Sequence, residues 1–233
     1  MRIIGIIGGL SWFSTAVYYK IINQLTNQQL GGLHSARILM HSMDFEEFNL
    51  LLQKNNWEEI EKTITTIALQ LRNAGADCII IATNTAHLVA DKVRQNIDIP
   101  LLHIAEETAK EIASQKLNKV LLLGTKFTME NNFFKDKLAK FGIEAIIPND
   151  FDREFINQSI FNELTKGRFD EETKRRYLSI MEKVKFEGVR GVIFGCTEIA
   201  LLIAKEDTDL QIFDTAFIHC KTAVDFSLQD ISK

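Results

Sequence analysis

Residues 79–88 read IIIATNTAHL. Three isoleucines and an alanine run straight into Thr83, Asn84, Thr85 and His87. A short β-branched run with no alternation reads as a strand buried on both faces, the kind found in parallel sheets covered by helices. The polar residues then fall at its carboxyl end, the edge at which open α/β sheets bind ligands. Residues 191–200, GVIFGCTEIA, repeat the arrangement, with Cys196, Thr197 and Glu198 closing the apolar run.

Working outward, short apolar runs alternate with longer helical patterns. Strands are predicted at 2–8, 36–42, 78–83, 101–104, 119–124, 144–148, 191–195 and 210–214. Helical spacing fills 14–30, 57–75, 87–96, 107–117, 128–142 and 170–188, and several of these end in a glycine suited to a C-cap. This alternation implies βα crossovers and an α/β fold with mainly parallel sheets.

The two halves also resemble each other. Gly8 lies 75 residues before Thr83, and Gly124 lies 72 residues before Cys196. We read two pseudo-symmetric three-layer α/β lobes: residues 1–104 with 208–233, and residues 105–207. Thr83 and Cys196 then hold equivalent places and share one cleft between the lobes. The bland alternative is that any α/β sheets look self-similar at this resolution.

Bulk properties narrow the function. Of 233 residues, 46% are hydrophobic and 25% charged, as in ordinary globular proteins, and the net charge is −4. Without a basic stripe, a nucleic-acid partner is not expected. No apolar run reaches the ~18 residues of a membrane span. The start, MRIIGIIGG, reads as a first strand rather than a leader. Three cysteines without CxxC spacing suit free thiols in a reducing compartment, so a cytoplasmic location is expected.

Cys196 is the principal candidate for chemistry. A thiol at a strand end and helix start sits near unpaired N–H groups, which favour thiolate. Its alternative is a buried cysteine acting as a small hydrophobe, a description that suits Cys78 and Cys220. Thr83, Asn84 and Thr85 offer hydroxyls, an amide and backbone N–H groups able to hold a carboxylate, beyond what helix capping needs. The loop GGLSWFST (8–15) lacks nucleotide-binding spacing but can bring backbone N–H groups to a small anion, with Leu10 and Trp12 as walls. His87 either points into the same cleft or caps the helix. The five histidines show no metal-ligand spacing, so no metal is expected.

Five stretches, IGIIGGLSWFST, GGLHSARILMHSMDF, TNTAH, LLGTKFTM and FGCTEIALL, in this order and spacing, resemble the aspartate/glutamate racemase family over nearly the whole chain. The resemblance is strongest to a branch that opens with this Gly-Gly-Leu-Ser-Trp pattern. It implies two α/β lobes with the site between them, a homodimer, an amino-acid substrate and no cofactor, whether pyridoxal phosphate or metal. It implies two thiols flanking the substrate α-carbon, one removing the proton and the other returning it on the opposite face. Asn84, Thr85 and Thr197 match carboxylate-holding positions, and Leu10 and Glu198 fall within the matched site motifs.

This chain departs from that pattern at Thr83, where most members carry cysteine. A threonine hydroxyl is a far weaker acid than a thiol. Some members of the branch share the Thr/Cys pair, and the resemblance implies an asymmetric racemase that handles L isomers better than D. For the distal carboxylate of aspartate or glutamate, the matching segments offer Leu52 and Gln53, with Lys166 as the available cation; alternatively Lys166 is a solvated surface lysine. Two rivals stay open: a one-thiol decarboxylase or isomerase, and a catalytically silent amino-acid-binding protein.

Overall fold

The computed structural model describes residues 1–230. They form seven strands: β1 (Ile4–Gly8), β2 (Ile38–Ser42), β3 (Cys78–Ile81), β4 (Lys119–Gly124), β5 (Glu144–Ile146), β6 (Gly191–Gly195) and β7 (Gln211–Asp214). The α-helices are α1 (Trp12–Leu30), α2 (Phe45–Gln53), α3 (Trp57–Asn73), α4 (Ala90–Arg94), α5 (Ile104–Ser114), α6 (Lys126–Glu130), α7 (Asn132–Ala139), α8 (Asp150–Asn162), α9 (Glu171–Lys185), α10 (Ile199–Leu202) and α11 (Thr215–Leu228). The class is α/β, and every strand pair is parallel.

The chain divides into two compact units, Met1–Ile104 with the segment from His219 onward, and Ala105–Ile218. The first holds a sheet of order β2-β1-β3, and the second a sheet of order β5-β4-β6-β7. The orders correspond strand for strand. In each unit the first strand is central, the second lies on one side, and the third, which leads to Thr83 or Cys196, lies on the other. An isolated bridge between Ile79 and Leu101 stands where β7 stands in the second sheet.

Three expectations need correction. Residues 208–218 belong with the second unit, because β7 pairs with β6 from Gly191–Gln211 to Phe194–Asp214 and so completes that sheet. The strand expected at 101–104 shrinks to the Leu101 bridge. Pro100 has no N–H to give, so only its carbonyl joins the ladder, accepting from Ile79 N–H at 2.8 Å, and Ile104 already starts α5. The helical pattern at 128–142 splits into α6 and α7, because Asn131 adopts an extended backbone between them.

β1, β3 and β6 are buried along their whole length and β4 from Val120 onward, whereas β2, β5 and β7 are partly exposed. In the second unit the two-residue period sorts the core. Leu121, Leu123, Val192 and Phe194 enter one apolar cluster, and Val120, Leu122 and Ile193 enter another. The first unit builds a core around Ile7, Ile79 and Ile81 with Ile60, Ile64 and Ala68 of α3.

Candidate active site

Three turns shape the carboxyl edge of the first sheet. After β1, Gly9 takes φ 80° and lies so close to the β2–α2 turn that an added Cβ would come within 2.1 Å of the Met43 carbonyl oxygen. Only glycine fits there. The Gly9 N–H donates to Thr15 Oγ1 at 2.8 Å, and that hydroxyl donates onward to the Ser11 carbonyl at 3.0 Å. Ser14 Oγ donates to the Ala82 carbonyl at 3.0 Å and so ties α1 to the end of β3.

At that end the Thr83 N–H donates to the Ile81 carbonyl at 2.8 Å. A 3-10 turn over Thr85–Val89 follows, with Asn84 and Thr85 buried and Thr83 half-buried. His87 does not cap this turn's amides. It reaches back one turn, and its Nδ1 lies 2.7 Å from the Thr83 carbonyl. A carbonyl only accepts, so Nδ1 carries the proton. Burial, with His103 and His219 alongside, keeps this imidazole well below the ordinary histidine range, hence neutral.

The second sheet ends on a matching turn. Gly124 and Gly195 lie side by side at the ends of β4 and β6, and a Cβ on either would press on Thr128. Thr125 caps α6 through the Thr128 N–H. Cys196 follows, half-buried and packed beside the apolar cluster of β4 and β6. Its Sγ donates to Glu198 Oε2 at 2.9 Å, and Glu198 is 2% exposed.

The thiol's electrostatics differ from the expectation of a helix-stabilised thiolate. Burial, then the charge and hydrogen bond of Glu198, push the Cys196 thiol well above the ordinary range. The Glu198 backbone N–H acts in the opposite direction and loses. The helix that follows, α10, has four residues, so little dipole is available to hold the thiolate. At neutral pH the thiol is protonated and shares its proton with a buried carboxylate.

Within the first unit, Thr83, Asn84 and Thr85 gather at one strand end, and Cys196, Thr197 and Glu198 gather at the matching strand end of the second. Leu10 is not a wall. It is buried in the first unit's core, while Trp12 is 73% exposed. Leu52 likewise enters that core from α2, and its neighbour Gln53 is exposed at the helix end. Lys166 is exposed in a 3-10 turn closed by Gly167 in the left-handed conformation. Ser14, Thr15 and the His87–Thr83 contact were not foreseen. The Ser-Thr pair five residues past the double glycine was the available signal. Among the described residues no three His, Cys, Asp or Glu side chains are arranged to share a metal ion. No helix among them is long and apolar enough to cross a membrane.

Comparison with known proteins identifies the family. A crystal structure of a candidate Asp/Glu racemase from Yersinia pestis is 45% identical and superimposes with a TM-score of 0.93, covering 98% of this chain and 100% of that one. An aspartate racemase homologue from Pyrococcus horikoshii OT3 is 36% identical with a TM-score of 0.87, covering 97% and 99%. A broad specificity amino-acid racemase, RacX, from Bacillus subtilis (strain 168) is 26% identical over 167 residues, 72% of each chain. Residues 7–223 match the family described as Asp/Glu/Hydantoin racemase. The chain therefore belongs to the Asp/Glu/Hydantoin racemase family and is an isomerase of the amino-acid racemase class.

Proposed function

We propose that this chain is a cofactor-independent racemase of L-aspartate, L-glutamate or both, with Cys196 and Thr83 exchanging the α-proton from opposite faces. One observation carries the reading. Thr83 and Cys196 end equivalent strands of two sheets with matching order, and the Cys196 thiol donates to the buried Glu198 carboxylate.

Inverting a stereocentre through its proton requires a base on one face and an acid on the other. When substrate binds, Cys196 passes its proton through Glu198 to water, and the thiolate takes the α-hydrogen of the L isomer. The substrate ammonium lies near as a positive charge, which favours the thiolate once substrate is bound. Charge passes from the α-carbon into the substrate carboxylate, held by Asn84, Thr85 and Thr197, whose donors meet the charge where it develops. The Thr83 hydroxyl returns a proton to the opposite face and regains one from water. Because the hydroxyl is the weaker acid and the stronger base to regenerate, L isomers are handled better than D. Lys166 is the cation for the distal carboxylate, Gln53 is a polar partner for the same group, and the enzyme assembles as a cytoplasmic homodimer.

The raised thiol also supports a second reading. A protonated, buried thiol is competent to deliver a proton to a carbanion on one face only, as a one-thiol decarboxylase or isomerase would require.

The deciding experiment is α-proton exchange in D₂O with L- and D-aspartate and L- and D-glutamate, followed by NMR and chiral chromatography, with Cys196→Ala as control. Deuterium entry with D product supports the racemase. Deuterium entry with retained configuration supports the one-thiol enzyme. If no isomer exchanges, Thr83→Cys separates a silenced site, which that substitution revives, from a wrong substrate, which it does not.

A further inference from the structure

We propose that His87 is a positioning residue for Thr83: its Nδ1–H, donated to the Thr83 carbonyl, fixes the turn from which the Thr83 hydroxyl projects. The inference rests on the reading of Thr83 as one of the two acid/base groups.

The direction of a side chain is set by the two peptide planes that flank its Cα. At Thr83 both planes are held. The plane before it is pinned at each end, with the Thr83 N–H on the Ile81 carbonyl and the Ala82 carbonyl on Ser14 Oγ. The plane after it is held through the Thr83 carbonyl by His87 Nδ1 at 2.7 Å.

The imidazole is itself clamped. His87 is buried, with ring centroids 4.9 Å from His103 and 5.3 Å from His219. His219 is fixed in turn, its Nε2–H donating to the Leu102 carbonyl at 2.8 Å and its Nδ1 lying 3.1 Å from the Tyr18 hydroxyl. His87 Nε2, by contrast, has no hydrogen-bond partner among the described residues. A buried polar atom left unpaired costs about 1–3 kcal/mol. Leucine or phenylalanine would fill this space without that cost, but would lose the donor to Thr83. The donor is thus what distinguishes histidine from an apolar residue here.

Two variants test this. His87→Leu keeps apolar bulk and removes the donor. His87→Asn keeps an N–H the same number of bonds from Cα. For each, deuterium entry into the L isomer reports the Cys196 face, and D-isomer formation reports the Thr83 face. Because misplacing a reacting group by about 1 Å can cost on the order of 100-fold, His87→Leu is expected to slow D-isomer formation by about tenfold or more. Deuterium entry should stay within about twofold, and His87→Asn should regain most of the lost D-isomer formation, as a group acting through orientation predicts.

Equal loss of both rates in His87→Leu overturns the inference, since general unfolding moves both. So does a His87→Leu protein with unchanged rates, or a His87→Asn protein that melts like wild type yet stays as slow as His87→Leu. ¹⁵N NMR of the ring gives a readout independent of turnover: the Nδ1–H tautomer is expected, and Nε2–H overturns the inference. If wild-type protein forms no D isomer of aspartate or glutamate, the proposed reading for these substrates fails and this inference falls with it. That outcome is visible before any variant is made.

Discussion

Thr15→Val tests how the first sheet's edge is held. Thr15 is 5% exposed, and valine matches it in shape while removing one oxygen. That oxygen accepts the Gly9 N–H at 2.8 Å and donates to the Ser11 carbonyl at 3.0 Å. The Ser11 carbonyl keeps a second donor, the Thr15 N–H at 3.2 Å, so it is not stranded. The Gly9 N–H is stranded, because the chain there is pressed against Met43. An orphaned buried donor costs about 1–3 kcal/mol, so we expect Thr15→Val to lose about 2 kcal/mol. With a urea slope of about 2 kcal/mol/M, the unfolding midpoint of the transition that reports this unit falls by about 1 M. Thr15→Ser is the control. It keeps the oxygen and loses a methyl seated on Gly8, which costs about 1 kcal/mol. Urea titration of the three proteins by circular dichroism gives the order: wild type, serine, valine. If valine is as stable as wild type, or more stable than serine, the hydroxyl does not hold the loop and the reasoning is wrong.

Other predictions follow from single contacts. Gly9→Ala combines φ 80° with a Cβ that would lie 2.1 Å from the Met43 oxygen, so it should cost more than any of the Thr15 variants, about 3 kcal/mol or more, or yield no soluble protein, as expression and melting would show. Buried Asp152 accepts from Arg176 at 2.7 Å and Lys183 at 3.0 Å. Burial alone would raise its carboxyl, yet these partners leave it below the ordinary range. Its folded-state value is therefore depressed, so its stabilisation is present above the unfolded value of about 4 and is lost as pH falls through the folded one. Melting temperatures compared with Asp152→Asn should differ at neutral pH and converge in acid; a constant difference refutes the assignment. For Cys196, iodoacetamide labelling followed by mass spectrometry should rise at a higher pH than an ordinary thiol, and Glu198→Gln should shift that profile to lower pH. An unshifted profile means that Glu198 is not what holds the proton on sulfur.

The fold was legible where local chemistry and packing agree. Runs such as Ile79–Ile81 and Val192–Phe194 are apolar throughout because both faces of each strand are covered, and they were readable for that reason. Leu101–Ile104 looked the same by composition but follows Pro100, and the missing N–H limits it to a bridge. The placement of β7 was illegible because either sheet could accept an apolar edge strand; pairing with β6 is a long-range choice. In the site, Thr83–Thr85 and Cys196–Glu198 stood out because polar residues closed an apolar run. Leu10 and Leu52 pack in the core, a placement the sequence could not show because apolar residues beside site motifs look alike whether they face a ligand or the core. The bond from His87 to Thr83 spans four residues, but sequence could not separate it from a cap, since only the ring's direction distinguishes the two.

The same directionality bears on the unequal pair at the two strand ends. A thiol beside a buried carboxylate is at rest an acid, not the nucleophile that a helix start would produce. Such a group becomes a base only when something positive arrives, and an amino-acid ammonium is a suitable trigger. Until then the thiol also stays less open to oxidation and alkylation, since the thiolate is the reactive form. Thr83 has no comparable trigger, and no shift in its surroundings makes a hydroxyl as acidic as a thiol. In the proposed mechanism its contribution comes from placement instead. This accounts for a turn whose preceding peptide is pinned at both ends and whose following carbonyl is held by a histidine that leaves its other nitrogen unpaired. On this reading Thr83→Cys should relax the dependence on that placement: a stronger acid tolerates poorer aim, so His87→Leu should cost D-isomer formation less in the Thr83→Cys background than in wild type. A double-mutant cycle on the D-isomer rate measures this directly. Equal losses in the two backgrounds would mean that His87 and the residue at position 83 act independently, and the link between weak acidity and tight positioning would have to be abandoned.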